Sequence, residues 1–448
     1  MGNLLKLYQI YNSMNPSNIP KSFCILPWIH TAIDPDGTIR PCCMADFGFR
    51  MGDLNETPLL KDIFNNDNYK KFRIELLNSP ELPAPCKSCK IQEETGIESY
   101  RTRKNKKYAK VIENLDPNPD GSAEFLQLYI DYRLSNKCNF KCITCGPQLS
   151  SSHAVEINQL NKNLKDFQPK SAYIEVDNFT EQFKTFSKDI REIYFAGGEP
   201  LIMDHHYEIL NLFIESQQPI DVSYNTNLSE LNYKGIDILD LWGKINGPVG
   251  IGASIDGFGP AGETIRFGLS SDVFKSNLKK VINGPDNIYI SFNITFGITN
   301  YESVVDTVRE LLQILPDSKE FHITFNPIFG PYEYSMYLLS AQQTDRAINL
   351  ITHQIDQLEL ELQQTGKLNG PPWTGYNAVK HLRGEFLKVV KESPTNRIKI
   401  DRKQLLETAI QRLDARETIR KTNWRRDLPS MYRDWQEILQ EESSKNEQ

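Results

Sequence analysis

Cys138-Asn139-Phe140-Lys141-Cys142-Ile143-Thr144-Cys145 sets three thiols at C-x3-C-x2-C spacing in a short loop directly behind an apolar, strand-like run. Three thiols cannot close a disulfide set, so the spacing predicts a metal centre. A cubane [4Fe–4S] cluster normally takes four thiolates, and a loop offering three leaves one iron with an open position where a small molecule can coordinate.

The other five cysteines, Cys24, Cys42, Cys43, Cys86 and Cys89, also fall in the first third of the chain, and none follows Cys145. Clustered thiols without an export signal point to metal rather than disulfides. The start, Met1-Gly2-Asn3-Leu4-Leu5-Lys6, lacks the apolar core of a signal peptide and has Lys6 where a myristoylation signal wants Ser or Thr. No apolar run approaches the roughly 18 residues that a membrane span needs, so the expectation is a cytoplasmic protein. A net charge of −7, spread rather than blocked, makes no electrostatic case for nucleic acid. The 448 residues, 39% of them apolar, suffice for two or three domains with a sizeable core.

Near the N-terminus, Phe23-Cys24-Ile25-Leu26-Pro27-Trp28 leads through an alternating run into Asp34-Pro35-Asp36-Gly37 and on to Cys42 and Cys43. Turn residues between two extended runs predict a hairpin that carries Cys24 and Cys42 toward each other. Leu59, Leu60, Ile63, Phe64 and Phe72 follow with helical spacing, which ends at Pro80 and Pro83, and Cys86-Lys87-Ser88-Cys89 supplies a C-x2-C knuckle. Four thiolates can converge there. Four cysteines also make a structural zinc site, and Cys43 is either an alternative ligand or a spare buried thiol. From Arg101 to Lys110 six of ten residues are basic. That run reads as a solvated helix face or linker, with a landing strip for an acidic substrate or leader segment as the sharper alternative. Asp116-Pro117-Asn118-Pro119-Asp120-Gly121 breaks the pattern and marks a boundary, giving an α+β module over 1–118.

Over 119–330 strand-like and helix-like segments alternate, as a parallel α/β domain requires, with strands near 125–133, 191–196, 219–224, 248–255, 288–297 and 320–326. The interval 147–190 has room for more than one helix. Three of these strands end in polar motifs: Gly197-Gly198-Glu199-Pro200, Thr226-Asn227-Leu228, and Ser254-Ile255-Asp256-Gly257 with Arg266 beyond it. His205 and His206, adjacent on a helix, do not face one another and read as structural. Residues 331–448 read as a helical extension, with a helix start at Asp401, an apolar stripe of Leu405, Leu406, Ile410 and Leu413, and a polar end from Glu441 expected to be disordered. Arg416, Arg420, Arg425 and Arg426 are expected to be solvated, or else to hold acidic substrate groups from a helix capping the barrel.

The cysteine loop, followed by the Gly-Gly-Glu-Pro strand end, resembles the radical S-adenosylmethionine (SAM) superfamily. The resemblance implies a partial (βα)6 barrel in which Cys138, Cys142 and Cys145 hold a [4Fe–4S] cluster and SAM occupies the open iron. It further implies that Gly197, Gly198 and Glu199 receive the methionine end of SAM. Thr226 and Asn227 match the family's Thr-Asn-Gly, with Leu228 in the glycine's place. Ser254, Asp256 and Arg266 match the Ser-x-Asp-Gly plus arginine of SPASM-type members, which implies that Ser254 meets the ribose or carboxylate end of SAM and Arg266 its carboxylate. Thr144 stands where the family usually has an aromatic residue. Cys24-x12-Gly37-x4-Cys42 with Cys86-x2-Cys89 resembles the SPASM or Twitch auxiliary-cluster module, which normally follows the barrel and here precedes it. The implied chemistry is reductive cleavage of SAM and hydrogen abstraction from a peptide, sugar or small metabolite, oxidative in outcome if the auxiliary cluster accepts electrons. It implies a one-electron donor such as flavodoxin or ferredoxin. A non-catalytic iron–sulfur electron-transfer protein and a zinc-binding interaction protein are the alternatives.

Overall fold

The computed structural model describes residues 20–160, 176–316, 321–365, 380–384 and 401–445, apart from 47, 95, 97, 134 and 381. Its strands are β1 (His30–Ile33), β2 (Thr38–Arg40), β3 (Gly52–Asp53), β4 (Tyr129–Tyr132), β5 (Glu192–Phe195), β6 (Asp221–Thr226), β7 (Asn232–Tyr233), β8 (Ile236–Asp237), β9 (Val249–Ser254), β10 (Ile288–Phe296) and β11 (Phe321–Pro327). β7 and β8 form a small ribbon, and the other nine make one sheet in the order β11-β10-β9-β6-β5-β4-β1-β2-β3. From β4 to β11 that sheet is parallel, its strands joined by helices such as Asp204–Ser216, Ser271–Ile282 and Val304–Ile314. It is the expected partial (βα)6 barrel, and all six expected strands are present.

Alternation decides which side each strand buries. In β10, Ile288, Ile290, Phe292, Ile294 and Phe296 are buried, whereas Tyr289, Ser291, Asn293 and Thr295 lie on the other face. β11 repeats this with Phe321, Ile323 and Phe325 against His322, Thr324 and Asn326. A parallel sheet packed on both faces reads as a continuous apolar run. The period of two here means that one face packs on the helices and the other lines a polar interior. There Asn293 donates to Asn225 across β9 at 2.9 Å.

The expected N-terminal hairpin forms, with Ala32 opposite Arg40 and Gly37 in the left-handed region at φ 85°. β1 also pairs parallel with β4, His30 opposite Tyr129 and Ile33 opposite Tyr132, so the cysteine-rich module extends the barrel sheet rather than sitting apart from it. The basic run is solvated as expected at Arg103, Lys106, Lys107 and Lys110, and departs from that expectation at two positions. In the Tyr100–Lys107 helix Arg101 and Lys104 are buried. Arg101 pairs with Glu93, Lys104 with Glu192, and Lys107 with Glu192 (2.9 Å) and Asp221 (2.7 Å). Glu192 and Asp221 are the first residues of β5 and β6, so the run rivets the module to the end of the barrel where strands begin.

The C-terminal region is helical, as expected: Ala341–Gln364, Arg402–Arg420, Trp424–Asp427 and Pro429–Lys445. Asp401 caps its helix by accepting from the Gln404 amide at 2.9 Å, and Leu406 and Leu413 are buried. The last helix continues to Lys445, so residues 441–445 are ordered where disorder is expected; Glu442 accepts from Arg402 at 3.2 Å. Residues 446–448 lie outside the described residues. The arginines are another correction. Arg420 is buried against Glu156, Arg425 pairs with Asp414 at 2.6 Å, and Arg426 is the exposed one, beside Asp427.

Candidate active site

The loop after β4 is pinned along the backbone at Ile265 and Phe267 and turns at Cys142–Cys145, where Cys145 N–H donates to Cys142 O at 3.1 Å. Lys141 N–H donates to Phe267 O at 2.7 Å and Ile143 N–H to Ile265 O at 2.8 Å, which presents Cys138, Cys142 and Cys145 to a cavity of about 250 Å³. Ser150 and Ser152 brace it from behind, donating to Phe140 O and Cys138 O at 2.6 Å each. Burial pushes the Cys142 thiol up to about 12 and raises those of Cys138 and Cys145 as well. Buried thiols of this kind stay protonated unless positive charge joins them, and an iron core supplies it. The residues therefore fit a cluster. Among the described residues, no three His, Cys, Asp or Glu side chains are placed to hold a single metal ion, whereas a cubane spreads its ligands over several irons.

The strand-end motifs close the rest of the cavity. Gly197 has φ 106°, and a Cβ on Gly198 would come within 2.2 Å of Lys137 O, so only glycine lets this turn lie against the cysteine loop. Glu199 is fully buried and accepts from Thr226 Oγ1 (2.6 Å), Asn227 N (2.6 Å) and Leu201 N (3.1 Å), tying the end of β5 to the end of β6. Desolvation outweighs those donors and pushes its carboxyl up to about 7. Leu228 adopts φ 54°, the left-handed conformation that suits the glycine whose place it takes, with its side chain buried in the core. Asp256 is ion-paired with Arg266, whose Nε lies 2.7 Å from Oδ2, and accepts from Arg266 Nη2 at 3.1 Å and from the Thr295 amide at 2.7 Å.

Of the eight residues expected around SAM, Gly197, Gly198, Glu199, Thr226, Asn227, Ser254 and Arg266 line the cavity with the three cysteines; Asp256 stands behind Arg266. The sequence reading missed Arg133 and Tyr194, which also line it. Arg133 is held by buried Asp131 at 2.7 and 2.8 Å, with its guanidinium 5.6 Å from the Tyr194 ring centroid. Its place just past the end of β4 was the available signal. Phe140 lines the cavity too, alongside Thr144. His206 is structural as expected, its Nε2 2.8 Å from Tyr224 Oη.

The second group of thiols lies elsewhere. Burial pushes the Cys24 and Cys86 thiols up to about 12 and raises that of Cys42, and the neighbouring thiols add to this, Cys86 and Cys89 acting on Cys24 and Cys24 and Cys86 on Cys42. Cys43 instead faces Tyr100, Asp131 and Arg133. Phe23, next to Cys24, accepts from Arg101 (2.5 Å) and Asn105 (2.9 Å) of the riveting helix. Cys24 therefore sits near the start of the strands, opposite the end that carries the Cys138 loop.

Comparison with known proteins agrees with this division. Residues 24–90 match the SPASM iron–sulfur cluster-binding domain, and residues 132–311 match the radical SAM superfamily. Two curated relatives are named GTP 3',8-cyclase. That from Campylobacter lari (strain RM2100) is 25% identical over 43% of this chain and 52% of its own length, and that from Sulfurimonas denitrificans is 20% identical over 50% and 62%. The chain thus spans between half and two thirds of these relatives. Similar solved structures include Streptococcus suis SuiB bound to S-adenosylmethionine (15% identity, 60% of this chain and 57% of that one, TM-score 0.33). Another is native anSMEcpe with bound AdoMet and Cp18Cys peptide (15%, 52% and 61%, TM-score 0.33). Among the described residues no helix is long and apolar enough to cross a membrane. With its three-cysteine loop at the head of a parallel partial barrel and a SPASM domain in front of it, the chain belongs to the radical SAM superfamily of enzymes, which work with a [4Fe–4S] cluster and SAM.

Proposed function

We propose that this enzyme abstracts hydrogen from an unactivated carbon of a peptide, sugar or small metabolite in the cytoplasm, with electrons from a one-electron donor such as flavodoxin or ferredoxin, and that the net reaction is an oxidation. One observation carries the reading: the three thiols of one loop and the polar ends of β5, β6 and β9 meet in a single cavity. When bound, the cluster and SAM supply one-electron cleavage of a C–S bond and a 5'-deoxyadenosyl radical.

The chain's own residues bind, orient and shield. Cys138, Cys142 and Cys145 are assigned as the thiolate ligands. The backbone at Gly197 and Gly198 is bare enough for the methionine end of SAM to approach. Arg266, ion-paired with Asp256 and donating to it through Nη2, is assigned to the SAM carboxylate. Ser254 meets the ribose, and Thr226 and Asn227, anchored through Glu199, complete that wall. Cys24, Cys42, Cys86 and Cys89 are assigned to an auxiliary cluster with four protein ligands and no open iron, suited to electron transfer; Cys43 is left out because it faces Tyr100 and Asp131. The domain limits proposed are 1–118, 119–330 and 331–448.

The substrate in the relatives' name is not carried over. A triphosphate needs several cations at once, and the described arginines lining the cavity, Arg133 and Arg266, are each already paired with a carboxylate. Anaerobic reconstitution with a reductant and SAM is expected to yield 5'-deoxyadenosine, and Cys142→Ala is expected to abolish it. Undiminished cleavage in that variant would sink the assignment.

A further inference from the structure

The C-terminal extension reaches the back of the cysteine loop with a buried charge cluster that the barrel alone does not contain. Glu156, on the Ser151–Leu160 helix just after the loop, is fully buried and receives Arg420 Nε and Nη2 at 2.7 Å each. Arg416 approaches the same carboxylate at 3.4 Å and Lys141 at 3.8 Å. Lys141 immediately precedes Cys142. Its ammonium and the Arg420 guanidinium sit 5.4 and 4.8 Å from the ring centroid of Phe267, whose carbonyl pins the loop through Lys141 N–H. His153, one turn before Glu156, has Nε2 2.7 Å from Cys142 O. Three cations thus surround one carboxylate directly behind the middle cysteine.

We propose that Arg420, Arg416, Lys141 and Glu156 form a charged clamp through which the C-terminal helix positions the loop of Cys138, Cys142 and Cys145 and sets the reduction potential of its cluster. The inference rests on the assignment of those cysteines as ligands. A buried carboxylate with three cations leaves net positive charge beside the cluster, and in a poorly screened interior that charge favours the reduced, more negative form. The bidentate pair adds direction: the guanidinium fork fixes both side chains, and through Lys141 and His153 the backbone on either side of Cys142. Arg420 and Glu156 are positioning residues, since neither lines the cavity.

The test is a redox titration followed by electron paramagnetic resonance on full-length protein with its auxiliary cysteines replaced, so that one cluster is read. Arg420→Gln, which removes a positive charge, is expected to lower the midpoint potential, and Glu156→Gln, which removes a negative one, to raise it. The double variant should return close to the parent value. A role confined to holding the helix in place would move both single variants the same way or neither, and that result would overturn the proposal. If Arg420→Gln folds poorly, Arg416→Gln, at the edge of the cluster, must still lower the potential, and an unchanged value there counts against the proposal equally. A parent protein that reconstitutes no cluster at all would refute the ligand assignment instead.

Discussion

Glu199 shows how a single side chain can join two strand ends at the cost of its own charge. Three donors converge on its carboxylate, yet desolvation prevails and its pKa lies near 7 instead of the ordinary 4.5. The folded state therefore holds this proton more tightly than the unfolded chain. The stability this confers is complete below about pH 4.5 and is lost as pH rises through about 7, a change of about 3 kcal/mol. Buried His30 and His206, pushed down to about 4 and 3, act in the opposite sense at acid pH, so the comparison has to be a difference. We expect the unfolding free energy of the cluster-free wild type, measured against Glu199→Gln by urea denaturation, to fall between pH 5 and pH 8. A flat difference would mean that the three donors keep the carboxylate ionised throughout.

Among the elements, the Tyr100–Lys107 helix keeps Arg103, Lys106 and Lys107 exposed, as its sequence suggests, but buries Arg101 and Lys104. Six basic residues in ten look like a wet surface, yet Lys104 is buried against Glu192 with its ammonium 3.9 Å from the Tyr129 ring centroid. Lys104→Met leaves that carboxylate short of a partner and is expected to cost about 3 kcal/mol, with much of the loss recovered in Lys104→Met combined with Glu192→Leu. Iron bound at the Cys138 loop should be unchanged, because the pair sits where the strands begin. Thermal denaturation with iron analysis checks both statements. The contrast shows what a sequence can and cannot declare. The six barrel strands were legible because apolar residues recur every second position, and the cavity because its motifs sit at strand ends. Lys104 with Glu192 and Arg420 with Glu156 were not, because partners 88 and 264 positions apart leave no periodic trace. The parallel pairing of β1 with β4 was hidden for the same reason: a hairpin carries no mark of the sheet edge it will join.

At the scale of the whole molecule, two groups of thiols occupy opposite ends of one sheet, and this separation makes their functions separable by experiment. Cys24 leads into β1 from the riveted end, while the Cys138 loop leaves β4, the neighbour of β1, at the other. Between them lies Asp131 of β4, which Cys43 faces together with Arg133, a wall of the SAM cavity. Sites so placed should lose their metal independently. Replacing Cys24 and Cys86 by serine is expected to lower iron from about eight to about four per chain, the content of two cubanes and of one. Cleavage of SAM in the absence of substrate should persist within a factor of a few, since the Cys138 loop and every residue lining its cavity are unchanged. Substrate oxidation should fall by far more, because the electron released after hydrogen abstraction has lost its acceptor. If product formation survives while iron falls to four, the N-terminal module serves recognition or rigidity, and the reaction is redox-neutral at the substrate. If the parent protein holds only about four irons to begin with, the thiols near Cys24 do not bind a cubane, and the oxidative reading fails at its first step.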